Sequence, residues 1–116
     1  MTIIEVEAAE RQALASLFHA LADPTRLLIL EHLRTGEHNV RQLTGHLGLA
    51  QSTVSAHLSC LRENRLVAVR TQGRSSFYSL ACQQPLVQLL NQAGLLAPGR
   101  APEHQWHENH QQDRQD

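Results

Sequence analysis

Gly48-Leu49-Ala50-Gln51-Ser52-Thr53-Val54-Ser55-Ala56-His57-Leu58-Ser59-Cys60-Leu61-Arg62 reads as a turn followed by a helix with two unlike faces. Val54, Leu58 and Leu61 recur at i, i+4 and i+7, which places them in one apolar stripe. At about 100° per residue, Ser52, Ser55, Ala56 and Ser59 fall on the opposite side, flanked by Gln51 and Arg62. That side carries small hydroxyl and amide groups and no acid before Glu63. Small residues allow close approach to a DNA major groove, where Gln and Ser can both donate to and accept from base edges. An ordinary amphipathic helix with a Ser-rich solvent face has the same periodicity, although Ser is neutral to unfavourable inside helices and its clustering asks for a reason.

The flanking sequence supplies one. Upstream, Val40, Leu43 and Leu47 repeat at helical spacing behind Asn39, a good N-cap residue, and Gly48 separates this short helix from the Ser-rich one. Short helix, glycine turn and second helix is the helix-turn-helix plan, with the second helix as reader. Downstream, Arg65–Thr71 and Ser75–Leu80 read as two strands around Gln72-Gly73-Arg74, a hairpin whose tip carries Arg70, Gln72 and Arg74. The hairpin is a basic wing beside the reader helix.

The stretches Ala20-Leu21-Ala22-Asp23-Pro24-Thr25-Arg26-Leu27-Leu28-Ile29-Leu30, Leu47 to Leu58 and Gly73-Arg74-Ser75-Ser76-Phe77-Tyr78-Ser79-Leu80 resemble, in order and spacing, the ArsR/SmtB family of metal-responsive bacterial transcriptional regulators. The resemblance covers roughly residues 17 to 97. It implies a mainly α fold with a small β-hairpin wing, a dimeric winged helix-turn-helix, with the first and last helices building the dimer interface. In DNA-contact terms it directs attention to Gln51, Ser52, Thr53, Ser55, Ala56, His57 and Arg62 on the reader helix and to Arg70, Gln72 and Arg74 on the wing.

Charge agrees once its position is considered. The chain of 116 residues has no Lys, 10 Arg and 11 acids, a net charge of −1 that by itself argues against a generally basic nucleic-acid binder. Residues 1–10 and 101–116 each stand at −3, leaving residues 11–100 at +5. Arg62, Arg65, Arg70 and Arg74 crowd the reader helix and wing, where cations suit phosphate contacts that orient without reading sequence. No apolar run approaches the roughly 18 residues of a membrane span and no signal peptide opens the chain, so a cytoplasmic protein without membrane association is expected. Cys60 and Cys82 are far apart and outside any C-x-x-C pattern, which argues against a disulfide framework.

Three segments complete the plan: an N-terminal arm over 1–7, a DNA-binding and dimerisation domain over 8–97, and a polar His-rich tail over 98–116 whose composition cannot build a core. In the first helix, expected from Ala8, Leu14, Leu17 and Phe18 form an apolar stripe. Asp23-Pro24 starts the next helix, Asp as N-cap and Pro at the first helical position. Arg26 in its first turn gains nothing from the helix dipole, which favours a phosphate or acidic partner for it. The last helix, expected to open with Pro85 in its first position, is apolar almost all round. Leu86, Leu89, Leu90 and Leu96 there need cover on more than one side, most simply from a second copy of the chain.

Effector chemistry follows by comparison with the family's patterns. Where the resemblance would place Glu-Leu-Cys-Val-Cys-Asp-Leu, the chain has Glu37-His38-Asn39-Val40-Arg41-Gln42-Leu43, so both thiolates are replaced. The last-helix site is degenerate, with Cys82 and Gln84 at its first two positions. On the reader helix Cys60 matches one thiolate, but Asn64 stands at the other. His104, His107 and His110 remain as imidazoles at i, i+3 and i+6, able to chelate Ni or Zn with help from Cys82 or Cys60, or to form no more than a solvated tail. His19, His32, His38 and His46 are scattered on the helices and could complete such a site, although each reads first as a surface or capping residue.

Three functions compete: a dimeric operator-binding repressor under Ni or Zn control, a regulator of the same fold that acts through a partner protein or another signal, and a small metal-binding or hydrolytic protein. The last has the least support. There is no Gly-rich phosphate loop, no Ser/His/Asp order with supporting context and no carboxylate pair near a His cluster, and no enzyme is expected.

Overall fold

Asp23 and Asn39 set where two helices begin. In the computed structural model, which describes residues 3–99, the Asp23 side chain accepts from the Arg26 amide and Pro24 opens α2 (Pro24–Leu33). Asn39 accepts from the Gln42 amide while the Gln42 side chain accepts from the Asn39 amide, a reciprocal capping box that starts α3 (Val40–Leu47). Gly48, at φ 67°, turns the chain out of α3 in the left-handed conformation that costs glycine least. The reader helix α4 (Gln51–Glu63) follows with Ala50 as N-cap and no side-chain cap.

The first helix, α1, runs Ile3–Leu21. Residues 3–7 are therefore its first turns rather than the arm expected there.

Beyond α4 come β2 (Val67–Gln72) and β3 (Ser75–Leu80). Gln72 pairs with Ser75, leaving Gly73-Arg74 as a two-residue turn with positive φ at Gly73 (63°), the position at which a type II′ turn calls for glycine. The sequence reading missed a third strand, β1 (His38–Asn39), which pairs His38 with Tyr78 and Asn39 with Phe77. The sheet order is β1-β3-β2, so β3 is central. A two-residue strand has no periodicity to read; the pairing depends on β3 offering its free edge.

The core of this unit is aliphatic: Ile29, Leu30 and Leu33 from α2, Leu43 from α3, Val54, Leu58 and Leu61 from α4, with Leu66 and Val67 at the sheet entrance. The Val54/Leu58/Leu61 stripe is fully buried, as its spacing requires. The first unit ends at Ala81, and α5 (Gln83–Leu96) belongs to a second unit beginning at Cys82, where one domain over 8–97 was expected. Pro85 stands in the third helical position rather than the first, where its missing N–H is still one that the helix would leave unpaired. No single helix among the described residues is long and apolar enough to cross a membrane.

The end of α4 stores a strain. Arg65 has φ 61°, the only positive φ on a non-glycine residue among those described. Its amide donates to the Arg62 carbonyl and the Leu66 amide to the Leu61 carbonyl, the double bond of a Schellman ending, with Leu61 and Leu66 both buried. Glycine is the residue this position favours. Arg65→Gly is expected to stabilise the fold by about 1 kcal/mol, raising the thermal midpoint by several degrees in a calorimetric scan; a lower midpoint would contradict the assignment.

Candidate DNA-reading face and effector ligands

Burying one stripe of α4 decides what its other side offers. Gln51, Ser52, Thr53, Ser55, Ala56, Ser59 and Arg62 are all exposed. They form a shallow surface of hydroxyl, amide and methyl groups, with a guanidinium toward its C-terminal end.

His57 is turned away from that surface. Its Nδ1 lies 3.3 Å from Arg26 NH1 and its Nε2 3.8 Å from Asp23 Oδ2. Because a guanidinium can only donate, Nδ1 accepts and the neutral ring carries its proton on Nε2, facing the carboxylate. For His57 the sequence leaves base contact and a hydrogen-bonded packing role both open, and these contacts give it the packing role, joining α4 to the start of α2.

The phosphate partner expected for Arg26 is likewise replaced by an internal one. Its Nε donates to the Ala20 carbonyl at 2.6 Å and its NH2 to the His19 carbonyl at 3.0 Å. The cation thus sits on the carbonyl end of α1, where a positive charge complements the helix dipole and unpaired carbonyls need donors.

On the wing, Arg70 and Gln72 are exposed and already have partners within the chain. Arg70 grips Glu37 with two parallel bonds, Nε to Oε2 at 2.9 Å and NH2 to Oε1 at 2.8 Å, and its NH1 donates to Gln72 Oε1 at 2.8 Å. Its guanidinium carbon lies 4.9 Å from the Phe77 ring centroid. Arg70 faces Phe77 in the β2–β3 register, and Asn39 faces Phe77 from the other edge. The Arg70 side chain therefore crosses the central strand over Phe77 to reach the residue ahead of His38. Arg70 and Gln72, expected at the DNA, thus also brace the wing. Arg74, at the turn, is exposed.

These pairs leave their mark on ionisation. The Arg26 amide, partly opposed by desolvation and helped by the His57 and Arg26 charges and the Thr25 amide, holds the Asp23 carboxyl below its ordinary value. The Arg70 hydrogen bonds lower Glu37, and Glu37 in turn raises Arg70.

The effector ligands proposed from sequence divide sharply. His104, His107 and His110 lie outside the described residues. Cys60 and Cys82 are free thiols, Cys60 half-buried on α4 and Cys82 exposed at the start of α5. Asn64 donates to the Cys60 carbonyl at 2.9 Å, with its Nδ2 also 4.0 Å from Cys60 Sγ, so an amide occupies the neighbourhood of that thiol. Among the described residues, the group of three or more metal-ligating side chains that converges is His32, His38 and His46, and it contains neither cysteine. These residues, read from sequence as scattered, come together because α2, β1 and α3 meet.

Comparison with known proteins gives this geometry its family. The model for the bacterial regulatory protein arsR family matches residues 23–69, from the Asp23 cap through the reader helix into β2. A homodimeric winged helix-turn-helix DNA-binding domain from Mycobacterium bovis, solved in solution, is 30% identical, superposes with a TM-score of 0.73, and covers 84% of this chain and 90% of its own. This chain belongs to the ArsR family. The HTH-type transcriptional regulator CmtR of Mycobacterium tuberculosis is 54% identical to this ArsR member over 69 residues, 60% of this chain and 58% of CmtR. A Streptomyces lividans repressor named for a mercury resistance operon is 40% identical over 76 residues, 66% of this chain and 61% of its own. The chain thus covers less than two thirds of the length of these curated relatives. They are transcriptional regulators, and this chain shares the family's winged helix-turn-helix fold.

The Asp23 cap gives a pH test with a defined sign. A carboxyl whose folded-state pKa lies below its unfolded value stabilises the fold above the unfolded value, about 3.9, and loses that contribution as pH falls through the folded one. Asp23→Asn keeps a capping oxygen without the titration. Below about pH 4 the wild-type thermal midpoint should fall more steeply than that of Asp23→Asn; parallel curves would show that the cap carries no linked proton.

Proposed function

We propose that the chain is a homodimeric, operator-binding transcriptional repressor whose affinity for DNA is controlled by a transition metal of the Ni or Zn type. The observation that carries the DNA half is the outer face of α4: exposed, small and polar along its length, with Arg74 exposed at the wing turn. Gln51, Ser52, Thr53, Ser55 and Ala56 contact base edges, and Arg62 and Arg74 hold phosphates.

Dimerisation is supported by apolar surface that the single chain leaves bare. Leu14 and Phe18 on α1 are 53% and 49% exposed, and Leu95 and Leu96 on α5 are 59% and 87% exposed. Leu17 on α1 and Leu89 and Leu90 on α5 are half-buried. Leu86, expected at the same interface, is already 4% exposed in the single chain.

The metal half draws on the names of relatives and on ligand chemistry. Imidazole outnumbers thiolate in this chain, 8 His to 2 Cys, which favours Ni or Zn over Cd, Pb or Hg. An electrophoretic shift with the native upstream DNA, with and without Ni or Zn, tests the whole reading. Metal-dependent loss of a specific shift supports it, and no specific shift under either condition would reject it.

Two further outcomes are expected. Gln51→Ala or Ser55→Ala should cost on the order of 1 to 3 kcal/mol and relax sequence preference, whereas Arg74→Ala should weaken all sequences alike and flatten the salt slope by about one. The reverse pattern would exchange the two roles. Sedimentation should find a dimer at micromolar concentration; a monomer with undiminished DNA binding would remove the dimer.

A further inference from the structure

We infer that His32, His38 and His46 form a metal site in the folded body, taking a divalent ion of the Zn, Co or Ni class, and that occupancy acts on the wing and the reader helix through β1 and α3. The regulatory half rests on the repressor reading above; the binding half does not.

The three rings come from three elements: His32 from α2, His38 from β1 and His46 from the last turn of α3. One ring nitrogen of each lies within 4.8 Å of the others, and the ring centroids are 4.7, 4.9 and 5.3 Å apart. A tetrahedral ion with Zn–N bonds of about 2.0–2.1 Å needs its ligand nitrogens about 3.3–3.4 Å apart, so closure asks for rotamer adjustments rather than a rearranged backbone. His32 Nε2 and His46 Nδ1 are already 2.8 Å apart, sharing one proton. An ion bound between them takes the place of that proton, which moves to a far ring nitrogen or to solvent.

His38 carries the mark of an oriented ligand. Its Nδ1 lies 2.8 Å from the Gly36 carbonyl oxygen, which can only accept, so Nδ1 holds the proton and Nε2 keeps the lone pair. A backbone carbonyl that fixes tautomer and ring angle is the usual outer support of a metal-bound imidazole. The donor set also selects the ion. With no carboxylate in the group, Mg and Ca lack their oxygen ligands, and with no thiolate the soft ions lose their advantage. Three imidazoles, with exposed His46 leaving room for water as a fourth ligand, suit Zn and its neighbours.

The position explains how occupancy could be felt. His38 pairs with Tyr78 of the central wing strand, its neighbour Glu37 grips Arg70, and its other neighbour Asn39 caps α3, which leads through Gly48 into the reader helix. An ion drawing α2, β1 and α3 together acts on the wing and on the helix before the reader. It regulates only if it binds the DNA-free and DNA-bound arrangements with different affinity.

The test uses the full, tag-free chain, first stripped of metal. Zn is titrated by calorimetry and Co by its visible absorption, for the wild type, His46→Gln, His38→Gln, and a chain carrying His104→Gln, His107→Gln and His110→Gln together. The proposal expects a site of one ion per chain, with Co spectra typical of a tetrahedral nitrogen-rich site. His46→Gln and His38→Gln should each weaken it by about 100-fold, while the triple variant retains it. Unchanged stoichiometry and affinity in both body variants, or loss confined to the triple variant, would overturn the site. Operator binding is read separately. Equal operator affinity with and without bound Zn would overturn the regulatory half, and absence of any operator binding by the wild type would reject the repressor reading while leaving the metal site standing.

Discussion

Arg26 is the residue on which the arrangement of the reader helix depends. One guanidinium donates to the His19 and Ala20 carbonyls at the end of α1 and meets His57 of α4, while the Arg26 amide is the group that Asp23 caps. Three helices are thus held at a single cation. A charge in that place needs acceptors on every side, and the carbonyl end of α1, the imidazole lone pair and the nearby carboxylate supply them. The consequence is rotational: with His57 committed inward beside the Val54/Leu58/Leu61 stripe, the Gln51/Ser52/Ser55/Ala56 side can only face outward.

The wing is fixed by an analogous device. Arg70 reaches across β3 above Phe77 to clasp Glu37, which ties the edge strand to the hairpin through side chains as well as through the ladder. A bidentate guanidinium–carboxylate pair adds geometric definition beyond its energy, which is modest at an exposed site. The device gives two of the wing's exposed polar residues a structural role beside Arg74, which is exposed at the turn.

The legibility of the chain follows sequence distance. The Val54/Leu58/Leu61 stripe, the Asp23 and Asn39 caps, the Gly48 turn and the Gly73 hairpin are local features, each encoded within a few residues, and the structure has them where the sequence places them. Arg70 and Glu37 are 33 residues apart and His32 and His46 are 14 apart, and neither meeting leaves a periodic trace. The second is a meeting of α2 with α3, and the first lies beside β1, a strand too short to predict. The same gap hid the partners of Arg26: a cation in a first helical turn looks unsatisfied when the carbonyls it serves belong to another helix. For the candidate site, the outward face of α4 was readable from spacing, whereas the converging histidines were not, since each alone looks like a surface residue.

The central claim is that the outward face of α4 lies in the major groove of two symmetric half-sites. Methylation interference on the native upstream DNA tests this directly, because guanine N7 lies in the major groove and adenine N3 in the minor groove. The account predicts interference by guanine N7 methylation in two inverted clusters, centred about one duplex turn or a small multiple of it apart. Interference from adenine N3 alone, or a single cluster without its inverted mate, would contradict it.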